Sequence, residues 1–207
     1  MNSKIKYILL DLGGVLVPET MLIINKQISE LLGINFEELK KANLDIYSLV
    51  PIGKMTLLEF YTKTLERLNL KKPSPQELLS KHIDVYEKNF KIFKEVLEII
   101  RGLMNLKKYE VVSFTNTEKE IVEFNKAKNR VFNLFDKNYI SCEIGLMKPD
   151  IKAYEFVLRD LDAQPSEVIF IDDKIENLKP AKQLGMDTIL YKNPTQLKRD
   201  LDTLLNR

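Results

Sequence analysis

Four short apolar runs punctuate an otherwise mixed chain. Ile5 to Asp11 ends in an acid, and Glu110–Thr115 (EVVSFT), Val168–Asp172 (VIFID) and Thr188–Tyr191 (TILY) resemble it. Short uninterrupted apolar runs suit strands covered on both faces. Helical patterns separate the later runs. Thr117 and Glu120 have the spacing of a capping box. Pro149-Asp150 precedes an amphipathic stretch, Ile151–Leu161, with Ala153, Phe156, Val157 and Leu161 on one side. Gly185 stands where a residue terminating a helix belongs. This alternation predicts a parallel sheet with helices on both faces.

The stretch from Glu19 to Phe90 reads differently, with no strand-like run of length. Thr56 with Glu59, and Ser74-Pro75 with Glu77, mark helix starts. Ile28, Leu31 and Leu32, then Leu57, Leu58, Tyr61, Leu65 and Leu68, recur at helical spacing. They predict a helical block inserted after the first strand. The nearby aromatics, Tyr47, Tyr61 and Tyr86 among them, are expected mostly in the core of that block. A length of 207 residues fits one core plus a small inserted subdomain.

Apolar residues make up 44% of the chain and charged residues 30%, an ordinary globular balance. The net charge of +2, from 32 basic and 30 acidic residues, is too even for a nucleic-acid footprint, and the lysines are dispersed. The single cysteine, Cys142, allows no intramolecular disulfide and reads as a small buried hydrophobe. The lone His82 reads as a structural or exposed residue of the helical block, and no cysteine or histidine cluster suggests zinc. Met1 to Lys6 shows no signal-peptide pattern, and no apolar run approaches the roughly 20 residues of a membrane span. The expectation is a cytoplasmic protein without nucleic-acid or membrane partners. Lys198-Arg199-Asp200 and Arg207 are expected on a solvated helix face.

Ligands of open parallel sheets bind outside the carboxyl ends of the strands. Those ends read Asp11-Leu12-Gly13-Gly14, Thr115-Asn116 and Asp172-Asp173, with Gly145-Leu146-Met147-Lys148-Pro149-Asp150 opening a helix nearby in sequence. Three carboxylates, a hydroxyl and an ammonium suit phosphoryl transfer. A carboxylate such as Asp11 can attack phosphorus. Asp11 with Asp172, helped by Asp173, can hold a hard divalent ion through oxygen ligands and so screen the repulsion. Lys148 offers a mobile charge to the remaining phosphate oxygens. Thr115 can donate a hydrogen bond to them, and Gly13 and Gly14 let backbone N–H groups approach an anion.

In order, D-L-G-G-V-L, S-F-T-N-T, G-L-M-K-P-D and F-I-D-D-K-I-E-N resemble the four motifs of the haloacid dehalogenase superfamily, in its variant with a small helical cap after the first motif. The resemblance runs from about Ile5 to Tyr191. It implies an α/β fold: a Rossmann-like three-layer sandwich with a central parallel sheet, formed by residues 1–17 and 91–207, and a small α-helical cap at 18–90. It implies Asp11 as nucleophile and Mg²⁺ ligand, the Gly13 carbonyl and Asp172 as further ligands, and Asp173 as direct or water-mediated support. Thr115 and the N–H of Asn116 would bind the phosphoryl group, Lys148 would neutralise it, and Asn177 would fix the loop. The cap would close over a small phosphorylated metabolite.

One position departs from the pattern. Phosphatases of the superfamily usually carry a second Asp two residues after the nucleophile, where this chain has Gly13. Positioned acid–base help is typically worth about 10²- to 10⁴-fold. Three readings follow: a Mg²⁺-dependent phosphatase for substrates with good leaving groups, a phosphate-binding or regulatory relative with little turnover, and a 2-haloacid dehalogenase. Two acids at 172 and 173 build a cation site, which attack on a neutral carbon does not need.

Overall fold

The structure, a computed structural model, describes residues 5–206; the readings made on residues 1–4 and on Arg207 lie outside the described residues. The core elements are β1 (Tyr7–Leu10), α5 (Lys94–Asn105), β2 (Glu110–Thr115), α6 (Lys119–Phe124), β3 (Lys137–Ile140), α7 (Ser141–Ile144), α8 (Ile151–Asp160), β4 (Val168–Asp172), α9 (Ile175–Leu184), β5 (Asp187–Leu190) and α10 (Pro194–Leu205). Four helices fall between β1 and α5: α1 (Met21–Leu32), α2 (Phe36–Asn43), α3 (Leu57–Leu68) and α4 (Pro75–Asn89). Among the described residues, no helix is long and apolar enough to cross a membrane.

The five strands are all parallel, in the order β3-β2-β1-β4-β5. Successive strand residues face opposite sides. Ile8 and Leu10 of β1, with Ile169 and Ile171 of β4, pack on one face against Val96 and Ile100 of α5 and Leu197 and Leu201 of α10. Leu9, Val112, Phe114 and Phe170 pack on the other against Ala153 and Val157 of α8 and Leu178 of α9. This is the expected three-layer α/β sandwich. The chain steps outward through β1, β2 and β3, then returns to β4 on the far side of β1. The strand order therefore reverses beside β1, which leaves a crevice beyond its carboxyl end.

The helical segment has its own apolar cluster, including Ile24, Ile28, Leu39, Leu57, Phe60 and Val85. Two of its helices start as expected. Thr56 and Ser74 accept the N–H groups of Glu59 and Glu77, and each glutamate returns a bond to its cap residue's N–H. Ile121 of α6 belongs to the same cluster, so the insert is packed down on the core. Both of its connections meet at one point, where Phe93 N–H donates to the Leu16 carbonyl at 2.9 Å.

Three local expectations are corrected. Thr117 and Glu120 do not cap a helix: α6 begins at Lys119, and Glu120 instead accepts the N–H of Leu57 in the insert at 2.8 Å. Leu31 faces solvent at 44% exposure, because the apolar stripe of α1 runs through Ile24, Ile28 and Leu32. Cys142 is half-buried in α7 rather than buried, and its thiol is pushed up to about 11 by that burial. Gly185 ends α9 at a φ of 98°, as expected.

Candidate active site

Asp11 follows β1, and its N–H continues the ladder to the Ile171 carbonyl at 2.9 Å, bringing it level with Asp172. The chain then turns sharply. The Leu12 carbonyl accepts N–H groups from Val15, Leu16 and Val17, and Gly14 donates to Val17. Gly14 has a φ of +80°, and a Cβ there would run into the Asp173 carboxylate. A glycine is needed on both counts.

Lys148 is buried, with Nζ 3.0 Å from Asp11 Oδ1 and 2.7 Å from Asp172 Oδ2. Its ammonium also lies 5.3 Å from the ring centroids of Phe114 and Phe170. Asn116 does not leave its side chain free for a ligand. It clamps the backbone of Lys148, donating from Nδ2 to the Lys148 carbonyl at 2.8 Å and accepting its N–H at 3.0 Å. Asn177 donates to both oxygens of Asp172, at 3.1 and 3.0 Å, while its own carbonyl accepts the Tyr154 hydroxyl. Asp172 also accepts the Lys174 N–H at 2.8 Å. Thr115 ends β2 and is buried beside the crevice.

Asp11, Asp172 and Asp173 each offer a carboxylate oxygen within 4.8 Å of the others. The oxygens of Asp172 are engaged, whereas Asp173 Oδ1 is buried without a partner. Three carboxylates around one ammonium leave an excess of negative charge in a nearly dry space. Burial accordingly pushes the Asp11 carboxyl up to about 7, against the pull of Lys148. Oxygen-only donors with uncompensated charge fit a hard divalent cation. Asp11 and Asp173 supply the oxygens best placed for it.

The crevice opens into a cavity of about 570 Å³ between the core and the insert. Sequence reasoning missed three of the residues found there, Lys174, Glu118 and His82, and saw in Glu19 only a residue able to reach back toward Gly13 in a favourable conformation. Glu19 and Lys174 form an ion pair of 2.8 Å across a separation of 155 residues, which no local signal reveals. Glu19 Oε2 lies 3.7 Å from where a Cβ on Gly13 would be. Burial acts to raise its carboxyl, but the bond and charge of Lys174 outweigh that and hold it below the usual range. Glu118 is buried, pushed upward by burial, and accepts the Tyr47 hydroxyl at 3.2 Å.

His82, expected to be structural or exposed, is buried and lines the cavity. Its Nδ1 pairs with the Tyr61 hydroxyl at 2.8 Å, while Nε2 has no partner. Burial pushes the imidazole down to about 4. The unfolded chain, with a histidine near 6.5, therefore binds a proton between about pH 6.5 and 4 that the folded chain refuses. Stability from this group is complete above pH 6.5 and falls as pH drops through that window, by about 3 kcal/mol in all. Urea unfolding from pH 7 to 4 should lose this component in His82→Gln. An unchanged slope would refute the assignment.

A sequence model of the haloacid dehalogenase-like hydrolases matches residues 5–185. The chain belongs to that family. A curated relative, the D-ribitol-5-phosphate phosphatase of Bacteroides thetaiotaomicron, is 30% identical over 116 residues, covering 53% of this chain and 55% of the relative. The rat bifunctional epoxide hydrolase 2 is 46% identical over 68 residues, 33% of this chain and 12% of that protein. The chain thus spans about half, or much less, of the curated relatives it matches. A solved haloacid dehalogenase family enzyme from Bacteroides thetaiotaomicron, in complex with magnesium and inorganic phosphate, superposes with a TM-score of 0.71 at 28% identity, covering 91% of this chain and 94% of that one.

Proposed function

We propose that the protein is a Mg²⁺-dependent phosphatase that moves the phosphoryl group of a small phosphorylated metabolite to Asp11 and then to water. Residues 1–17 and 91–207 would form its catalytic core and 18–90 its cap. The observation that carries this reading is the buried ammonium of Lys148 between Asp11 and Asp172, with the unpartnered Asp173 oxygen beside them. Mg²⁺, held by Asp11, Asp173 and the Gly13 carbonyl with Asp172 behind, would supply charge neutralisation for the incoming phosphate. Thr115, the N–H of Asn116 and Lys148 would hold its oxygens, the Gly14 N–H being spent on Val17. The Asp11 carboxylate would attack phosphorus, giving an aspartyl-phosphate.

Glu19 supports a particular division of labour at Gly13. A carboxyl held below the usual range stays ionised, which suits a base acting on water and not an acid protonating a leaving group. The first step would then favour substrates that leave unaided, such as acyl or anomeric phosphates. The test is phosphate release from a panel of small phosphates, with and without Mg²⁺, in the natural protein and in Glu19→Gln. Release should require Mg²⁺. The variant should turn over about 10²-fold more slowly and accumulate a phosphorylated chain visible as a mass increase. Equal rates without accumulation would remove Glu19 from the reaction. Phosphate binding with no release from any compound would favour the regulatory reading instead.

A further inference from the structure

The cavity is larger than a phosphate needs, and its polar atoms are unevenly disposed. Gly13, Thr115, Asn116 and Lys148 collect at one end. Away from that end, the charged and amide groups are already engaged. Glu118 accepts from Tyr47 and Asn125 donates to Tyr86 at 2.8 Å, while the Glu19–Lys174 pair stands at the Gly13 end. Between them the wall is made by Val17, Met21, Leu22, Ile121, Phe132 and Met147. Leu22 is 53% exposed and continues this apolar surface to the outside.

A polyhydroxylated substrate would meet few free partners here. Each hydroxyl taken out of water without one costs about ten- to a hundredfold in affinity. Apolar groups gain from the same wall. One exception is built in. Of the residues with a buried side-chain polar atom left without a partner among the described residues, only His82, through its Nε2, is also a residue of the cavity wall. Burial keeps the Tyr61 hydroxyl protonated, and among the described residues its hydrogen-bond partner is His82 Nδ1, so it donates there. The imidazole proton then sits on Nε2, making His82 a neutral donor.

We propose that the substrate is a phosphate with a good leaving group and a predominantly apolar organic part, bearing at most one oxygen at its far end, which the Nε2–H of His82 receives. This rests on the phosphatase reading and names its substrate class. It also separates this chain from its relative that takes D-ribitol 5-phosphate.

A chain-length series tests it. The natural protein with Mg²⁺ is given acetyl, butanoyl, hexanoyl, octanoyl and decanoyl phosphate, their terminal hydroxyl derivatives, ribitol 5-phosphate, ribose 1-phosphate and glucose 1-phosphate. kcat/KM should rise roughly fourfold per buried methylene until the cavity is filled, then level off. A terminal hydroxyl should lower kcat/KM at every length except the one that reaches His82, and His82→Phe should abolish that exception. His82→Leu serves if the Phe variant does not fold. A flat series, or anomeric sugar phosphates matching octanoyl phosphate, would overturn the proposal while leaving the phosphatase reading intact. Release from none of the compounds, acetyl phosphate included, would defeat the phosphatase reading. Calorimetric binding of methyl- to decylphosphonate then decides the cavity's preference by itself, with a Kd that falls along the series supporting it and a constant Kd refuting it.

Discussion

Asp11→Asn should abolish phosphate release, by at least about 10⁴-fold, and yet leave the protein no less stable than before. The loss of activity follows from chemistry: an amide oxygen cannot form the aspartyl-phosphate. The stability follows from the surroundings. Asp11 and Asp172 share one ammonium, and burial already disfavours the ionised form of Asp11. An isosteric amide can still accept the Leu12 N–H and the Lys148 ammonium through Oδ1. What remains is one cation paired with Asp172. Thermal unfolding without divalent ions should give a Tm equal to or above that of the natural protein. Mg²⁺ should raise the Tm of the natural protein more, since it has the additional oxygen ligand. A Tm several degrees lower would mean that both carboxylates are needed to compensate Lys148.

Lys148→Met has the opposite balance, with activity and stability lost together. The substitution keeps most of the volume and the contacts to Phe114 and Phe170, but strands two buried carboxylates side by side. Removing one partner of such a buried pair costs about 3–5 kcal/mol. The sign of its pH dependence follows from the carboxyls. A group whose folded pKa lies above its unfolded value takes up a proton on folding, so its penalty is present at high pH and fades as pH falls through the folded pKa. Asp11 is already raised to about 7 with Lys148 in place, and removing the ammonium raises it further. The deficit measured by urea unfolding should therefore be largest above neutrality and shrink toward pH 4, and added Mg²⁺ should shrink it at neutral pH. A variant that unfolds at the natural urea midpoint would show that Lys148 does not neutralise this cluster.

Residues whose position depends on their own strand were legible from sequence. Asp11, Thr115 and Asp172 each close an apolar run, and a buried parallel strand puts its last residue at the ligand end. The edge strand β3 was legible only as a strand-like segment before Cys142. Lys137 is exposed and Asn138 half-buried, so only Tyr139 and Ile140 carry an apolar signal, and its extended shape is set by pairing with β2. Glu120 shows the same limit at a helix start: local spacing suggested a cap, but a backbone N–H from the insert took its carboxylate. Glu19 with Lys174, and His82 facing the cavity, depend on how the insert sits on the core, and neither segment carries that information alone.

The single hydrogen bond between Phe93 and Leu16 has an architectural consequence. The insert leaves the sheet and returns to it through one doorway, while β1 and α5 on either side are anchored by the sheet and its apolar layers. Chain length can be added or withdrawn between those doorposts without changing the strand register or the placement of Asp11. Such an arrangement is modular: the reacting groups belong to the frame, the fit to the organic part of the substrate belongs largely to the interchangeable piece, and new specificities can be tried on an unaltered catalytic chassis.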